Sequence, residues 1–596
     1  MKLLTRDKIK EEDKWNLNAL YDSDEKWNSD IKEVEKMVND LLKYKGNIMK
    51  DSNTLLSFYE DYEKMDRLSE KVYMYASLLC DSDTLNNEYK KKKDIAIKMF
   101  QNISSKLSFV SPEMLNVKYE VVENYIKEND DLKKYKFDLE KMFRYEKHTL
   151  SKEEEQIITE ASNAFGTGNN VFYNFDNADV DLGFITDEDG KKIELTHSNY
   201  SKYMLSKDEN VRRDSFEKMF TYYKKFKNTI TEAYKGTIKE DFFYSKVKKY
   251  ESPLHMSLYA DNIDVSVYKN IIDVVHDNFN LMHDYIALRK KVLNLKEMHM
   301  YDIYIDLASQ SNKEINFHDG KKIIFEALKP LGEDYLNNLK KAFSERWIDK
   351  YPNKGKKSGA YSWGCYDSYP YLLLNYNNDI DSVTTMAHEL GHSMHSYLSN
   401  KNQDHIYASY PIFLAEIAST VNEVLLNDYL YKNAKTKNEK IYYLTDFLDK
   451  VRTTIYRQTQ FAEFEMLAHD KYAKGIPLTE EELSNTYYEL NKMYYGNSII
   501  HDDLIRYEWL RIPHFYTPFY VYKYASGLSC AIAIASDILN GKKGAKERYL
   551  EFLSSGSSNY PLDILRKVGI DMTSKEPIKK ALKMFEEKLE ELKKLI

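Results

Sequence analysis

Two histidines four residues apart, His388 and His392, with Glu389 directly after the first, are the residues of this 596-residue chain whose types and spacing point to a reaction. On a helix, positions four apart lie one turn apart on one face, with about 6 Å between their Cβ atoms. That spacing lets two imidazoles share one zinc ion and lets Glu389 face a water beside it as a general base, the arrangement for metal-assisted hydrolysis. A catalytic zinc takes three protein ligands and keeps a position open for water. His395 is three residues past His392, but it sits two turns beyond His388, about 10 Å along the axis, a long reach for a shared ion. A later stretch, Phe413 to Glu423, offers a better source. Its apolar positions Phe413, Ile417, Val421 and Leu425 would bury one side, while Glu416 and Glu423, seven apart, share a face. One carboxylate could ligate the metal and the other hold the outer nitrogen of a ligand histidine. Taken singly, each glutamate reads as a solvated surface group; their pairing, 24 and 31 residues after His392, favours the site.

The elements that must position these residues are readable around them. Asp381-Ser382 offers an N-cap, and Val383, Met386, Ala387, Leu390 and Met394 can form the buried side of the motif helix. Upstream, residues 354–376 read as strand-like, with Pro370-Tyr371-Leu372-Leu373-Leu374-Asn375-Tyr376 leading into that helix. A free strand edge there could bind an extended peptide, and Gly355, Gly359 and Gly364 would allow close backbone approach. The plainer alternative is a buried hairpin that only supports the helix.

His388-Glu389-x-x-His392 followed by Leu414-Ala415-Glu416-Ile417-Ala418-Ser419 resembles oligoendopeptidase F, in the thimet oligopeptidase superfamily of zinc peptidases. The resemblance covers most of residues 6–590 and is strongest in 350–425 and 505–535. It implies one Zn2+ per chain held by His388, His392 and Glu416, with Glu423 as a supporting acid. It also implies that Glu389 is the general base and that the substrates are short, unfolded oligopeptides cut internally. In the stretch Arg511 to Gly527, His514 matches the family histidine that stabilises the oxyanion. Tyr516 and Tyr522 are the expected substrate-covering tyrosines, with Tyr520 and Tyr524 expected to pack. The implied fold is mainly α, two helical lobes flanking a deep substrate channel, with a small β element beside the zinc helix.

The rest of the chain fits that class. Only 19 Gly and 11 Pro suit long helices. Amphipathic patterns are expected near 24–46, 53–80, 86–110, 119–129, 151–165, 437–473 and 479–495, and a last helix from Pro577 after a Ser574 cap. Residues 184–195, turning at Asp189-Gly190, read as a β-hairpin. A boundary placed just after it gives an N-terminal helical lobe, 1–198, and a catalytic lobe, 199–596. A net charge of −8 with interspersed signs excludes a nucleic-acid binder. Three scattered cysteines, a start (Met1 to Lys8) without an apolar stretch, and no run of membrane-spanning length point to the cytoplasm and away from a membrane. Two rival functions stand beside the endopeptidase. A helical zinc carboxypeptidase would need Arg511 or Arg506 to grip a terminal carboxylate, and a non-catalytic peptide-binding protein would have no use for Glu389.

Overall fold

A computed structural model describes residues 3–162, 164–308 and 314–596. Met1 and Lys2 of the start, and Asn163 within the helix expected near 151–165, lie outside the described residues. The chain is mainly helical, as its periodicity and its shortage of Gly and Pro require. Helices form at Asp24–Leu41, Ser52–Ser82, Asn87–Lys106 and Tyr119–Glu128, close to the expected spans. Side-chain caps fix their starts: Ser23 accepts from the Lys26 N–H, and Asp51 from that of Thr54. The run expected at 437–473 is broken by one π-helical stretch, Arg452–Tyr456, between Lys437–Val451 and Arg457–Ala473. The last helix is Glu576–Leu595, with the Ser574 hydroxyl accepting from the Glu576 N–H. Among the described residues, no helix is long and apolar enough to cross a membrane.

Two compact units emerge, each assembled from three chain segments. The first comprises Met1–Lys147, Asn312–Leu426 and Asp537–Gly569; the second comprises His148–Ser311, Asn427–Ser536 and Ile570–Ile596. Residue 198, the expected boundary, therefore falls inside the first segment of the second unit. The hairpin that suggested it is present, with β1 (Phe184–Thr186) antiparallel to β2 (Lys192–Glu194) and Ile185 opposite Ile193. It does not end a unit, because helices on both sides of it, Thr167–Asn177 and Lys227–Val247, pack on each other.

In the first unit, a small sheet carries the order β3 (Ile348–Asp349), β5 (Tyr371–Leu373), β4 (Tyr361–Trp363). β3 runs parallel to β5 and β4 antiparallel to it, with Ser362 opposite Leu372. β4 is the edge beside the motif helix, and β3 is a strand that the sequence pattern did not announce. Asp349 on β3 is buried and holds the sheet to the start of the chain and to the loop that follows β3. It accepts from the Arg6 guanidinium, with one contact at 2.8 Å, and pairs with the Lys356 ammonium at 2.6 Å. Lys356 Nζ also donates to the carbonyls of Tyr351 and Leu374. The Lys356 side chain is wholly buried, so each of its donors must find an oxygen.

Candidate metal centre

The motif helix is Ile380–Asn402. Its N-cap is Asp379, which accepts from the Ser382 N–H at 2.8 Å, so the helix starts one residue before the expected Asp381-Ser382 cap. Val383, Met386, Ala387, Leu390 and Met394 are all buried, as their spacing required. The crossing helix, Ile412–Asn433, packs against this one through small residues. A Cβ added at Gly391 would meet the Ser419 Cα at 2.5 Å and the Ala418 oxygen at 2.8 Å. Here glycine is a requirement of backbone approach, and it brings the Glu416 face within reach of both histidines. Asn422 locks the crossing, donating to the Ala387 carbonyl at 3.0 Å in the buried interface.

Across that contact, His388 Nε2 and His392 Nε2 lie 3.1 Å apart. Glu416 Oε2 is 3.6 Å from the first and 3.9 Å from the second. These three side chains can offer ligand atoms that all lie within 4.8 Å of one another. The Glu423 carboxylate accepts a hydrogen bond from His388 Nδ1. With its proton held there, His388 presents a lone pair at Nε2. The His392 ring is in turn hydrogen-bonded to the Ala415 backbone. Burial, then the neighbouring His388, pulls the His392 imidazole down to about 3, so it stays neutral. Two rings that turn nitrogens toward each other and toward a carboxylate oxygen, at separations typical of a coordination shell, suit a divalent cation.

Glu389, one residue past His388 on the motif helix, is 7 % exposed. Burial pushes its carboxyl up to about 7; His388 and a hydrogen bond from the Ser362 backbone oppose that rise, and Glu416 adds to it. Ser362 lies on the β4 edge, and nothing in its sequence context marks it as a partner of Glu389. Its hydroxyl also bonds that of Ser393 at 2.8 Å, pinning the edge to the motif helix. His395 is not part of the cluster. It is fully buried and stacked on Tyr410, with ring centroids 3.6 Å apart.

His514 lies in the second unit, half-buried, with Nε2 3.2 Å from the Tyr524 hydroxyl and its ring stacked near Tyr520. The two tyrosines expected to cover substrate are both buried. Tyr516 is 8 % exposed and stacked on Phe172, and Tyr522 is 1 % exposed against Tyr268. Alternation over 516–524 could not tell these two from Tyr520 and Tyr524, since burial there depends on which ring meets another element. Arg506 and Arg511, the anchors a carboxypeptidase would need, pair with Asp503 at 2.8 Å and Glu508 at 3.8 Å.

The family model of peptidase family M3 matches residues 202–584, and that of oligopeptidase F matches residues 113–181. The chain belongs to peptidase family M3. It is 41 % identical to oligopeptidase PepF of Bacillus subtilis over 99 % of this chain and 88 % of that protein. It is 38 % identical to group B oligopeptidase PepB of Streptococcus agalactiae over 99 % of this chain and 98 % of the other. The crystal structure of oligoendopeptidase-F from Enterococcus faecium superposes with a TM-score of 0.74 at 33 % identity, covering 96 % of this chain and 99 % of that one. As an M3 peptidase the chain is a metalloendopeptidase, and peptides are its substrates.

Proposed function

We propose that this M3 peptidase hydrolyses internal bonds of short, unfolded oligopeptides with one zinc ion held by His388, His392 and Glu416. The observation that carries the reading is the pair of facing imidazole nitrogens, 3.1 Å apart, with the Glu416 oxygen completing the triangle. Two nitrogens and a carboxylate oxygen are a donor set zinc accepts, and three protein ligands leave it open to water. Zinc bound there would supply Lewis-acid polarisation of the scissile carbonyl and a more acidic water.

The protein's own groups do the rest. Glu389 takes a proton from the attacking water on its carboxylate and returns it to the departing amine nitrogen. Its buried setting keeps that carboxyl near neutrality, where it can serve both transfers. Glu423 holds His388 in one tautomer and one orientation. The free edge of β4 offers backbone donors and acceptors to an extended peptide. On the family resemblance we assign His514 to stabilising the oxyanion, and of the neighbouring tyrosines Tyr524, bonded to it, is better placed to act with it than Tyr516 or Tyr522. A cytoplasmic setting is supported by Cys80, Cys365 and Cys530, all buried free thiols.

The test is mass analysis of products from a peptide acetylated at its N-terminus and amidated at its C-terminus. Internal cleavage by zinc-loaded protein, absent after chelation and restored by zinc, is the expected result. An intact blocked peptide, alongside stepwise trimming of its free counterpart, would replace this reading with the carboxypeptidase.

A further inference from the structure

A second polar cluster in the first unit has no part in the reaction as described. The helix Ser52–Ser82 presents Asp66 and Glu70, four apart and so on one face. Between them comes His405, whose Nε2 is 3.9 Å from Asp66 Oδ2 and 3.5 Å from Glu70 Oε2. The His405 side chain is 91 % buried, and its Nδ1 has no hydrogen-bond partner among the described residues. Those separations are too long for good hydrogen bonds and leave a gap between the three groups. No lysine or arginine among the described residues pairs with either acid. Glu63 beside them differs, being neutralised by Lys134 at 2.7 Å. Two like charges at this spacing repel, and burial, reinforced by Glu70, pushes the Asp66 carboxyl up to about 6.

The cluster forms part of the wall of a cavity of about 740 Å³ that also reaches Trp363, Tyr366, Ser396 and Asn400. Ser396 and Asn400 continue the His388–His392 face of the motif helix at four-residue steps, about 6 and 12 Å along the axis from His392. The β4 chain keeps pace with that helix. Ser362 meets Ser393 at 2.8 Å, and the Cys365 carbonyl accepts from Asn400 Nδ2 at 3.1 Å. An extended chain advances about 3.3 Å per residue, so a peptide lying on β4 with its scissile bond at the metal centre would reach the cavity within roughly two to four residues. A C-terminal carboxylate arriving there would be repelled by Asp66 and Glu70.

Resting on the peptidase reading above, we propose that this cavity receives the N-terminal side of the bound peptide and that a primary ammonium group of that peptide sits among Asp66, Glu70 and His405. The ammonium belongs either to the peptide's own N-terminus or to a lysine two to four residues before the cut. Each carboxylate accepts one N–H, and His405 accepts the third at Nε2.

Three quenched-fluorescent peptides of one sequence test this with the zinc-loaded full chain, the cut site fixed by product masses. One has a free N-terminus two to four residues before the cut, one is acetylated there, and one is acetylated but carries lysine at that residue. The expected result is a kcat/KM at least about tenfold higher for the free peptide than for the acetylated one, expressed in KM. Recovery with the lysine peptide would make the side chain an equal source; no recovery would assign the site to the N-terminus. In the double variant Asp66→Asn, Glu70→Gln the preference ratio should fall to about one, with thermal melting checking the fold. Equal cleavage of all three peptides by the unaltered enzyme would overturn the inference while leaving the peptidase reading intact, and cleavage of none would remove both. A second tightly bound zinc, lost in the double variant, would also overturn it, since the cluster would then be a metal site.

Discussion

Glu389 and Glu423 stand 34 positions apart and do opposite kinds of work. In the proposed mechanism Glu389 moves a proton without holding metal. Glu389→Gln should therefore lower kcat by several orders of magnitude while metal analysis still finds one zinc per chain; loss of zinc would contradict the role. Glu423 is proposed to act through His388 Nδ1. Glu423→Gln should weaken zinc affinity by about 10- to 100-fold. Excess zinc in the assay should recover much of its activity, which a variant impaired at the proton transfer would not show. The pattern His388-Glu389-x-x-His392 stands out in the sequence because it depends on helical spacing alone, whereas Glu416, on another helix, was singled out from Glu423 by the family resemblance. The tyrosines near His514 do not stand out by spacing. In a chain with 51 tyrosines, which ring is buried is settled by partners far away in sequence, such as Phe172 for Tyr516 and Tyr268 for Tyr522.

At the scale of elements, the site is the product of two helices crossing at Gly391. Periodicity identified both helices and their buried faces, and composition marked 354–376 as strand-like, but the apolar run at Tyr371–Leu373 is the buried central strand and Tyr361–Trp363 is an edge. Periodicity did not say how closely the helices meet, which depends on Gly391 facing Ala418 and Ser419. Gly391→Ala keeps helix propensity high, so an isolated helix would gain from it. Here the methyl has no room against backbone atoms, and the helices must part. The expected outcome is a loss of zinc affinity and of activity with helical circular dichroism unchanged. An unaltered zinc titration would show that the crossing does not set the ligand geometry.

For the whole molecule, what the sequence withheld is long-range assembly. A boundary after the hairpin was a natural reading, yet each unit gathers three segments that are remote along the chain. Asp349 shows the kind of tie responsible, joining Arg6 to Lys356 in a buried cluster. Burial alone would raise its carboxyl, but the Arg6 and Lys356 charges outweigh it and hold the group below the usual carboxylate range. Because the folded value is depressed, its contribution is present in full above about pH 4, where the unfolded carboxyl ionises. It is lost as pH falls through the lower folded value. Asp349→Ala should cost about 3–5 kcal/mol near pH 7 by leaving two buried cations unpaired. Melting curves of variant and parent should converge only in strong acid, and a gap that stays constant down to pH 2 would refute the ionic account.

The central claim is that His388, His392 and Glu416 together grip one catalytic zinc. Zinc titration of chelated protein, following bound metal and peptide hydrolysis in the same samples, tests it most directly. Activity should rise in proportion to metal and saturate at one equivalent, and Glu416→Ala should lose both the tight equivalent and the activity. If Glu416→Ala instead bound zinc as tightly as the parent and cleaved peptide as fast, the proposed ligand set would be wrong.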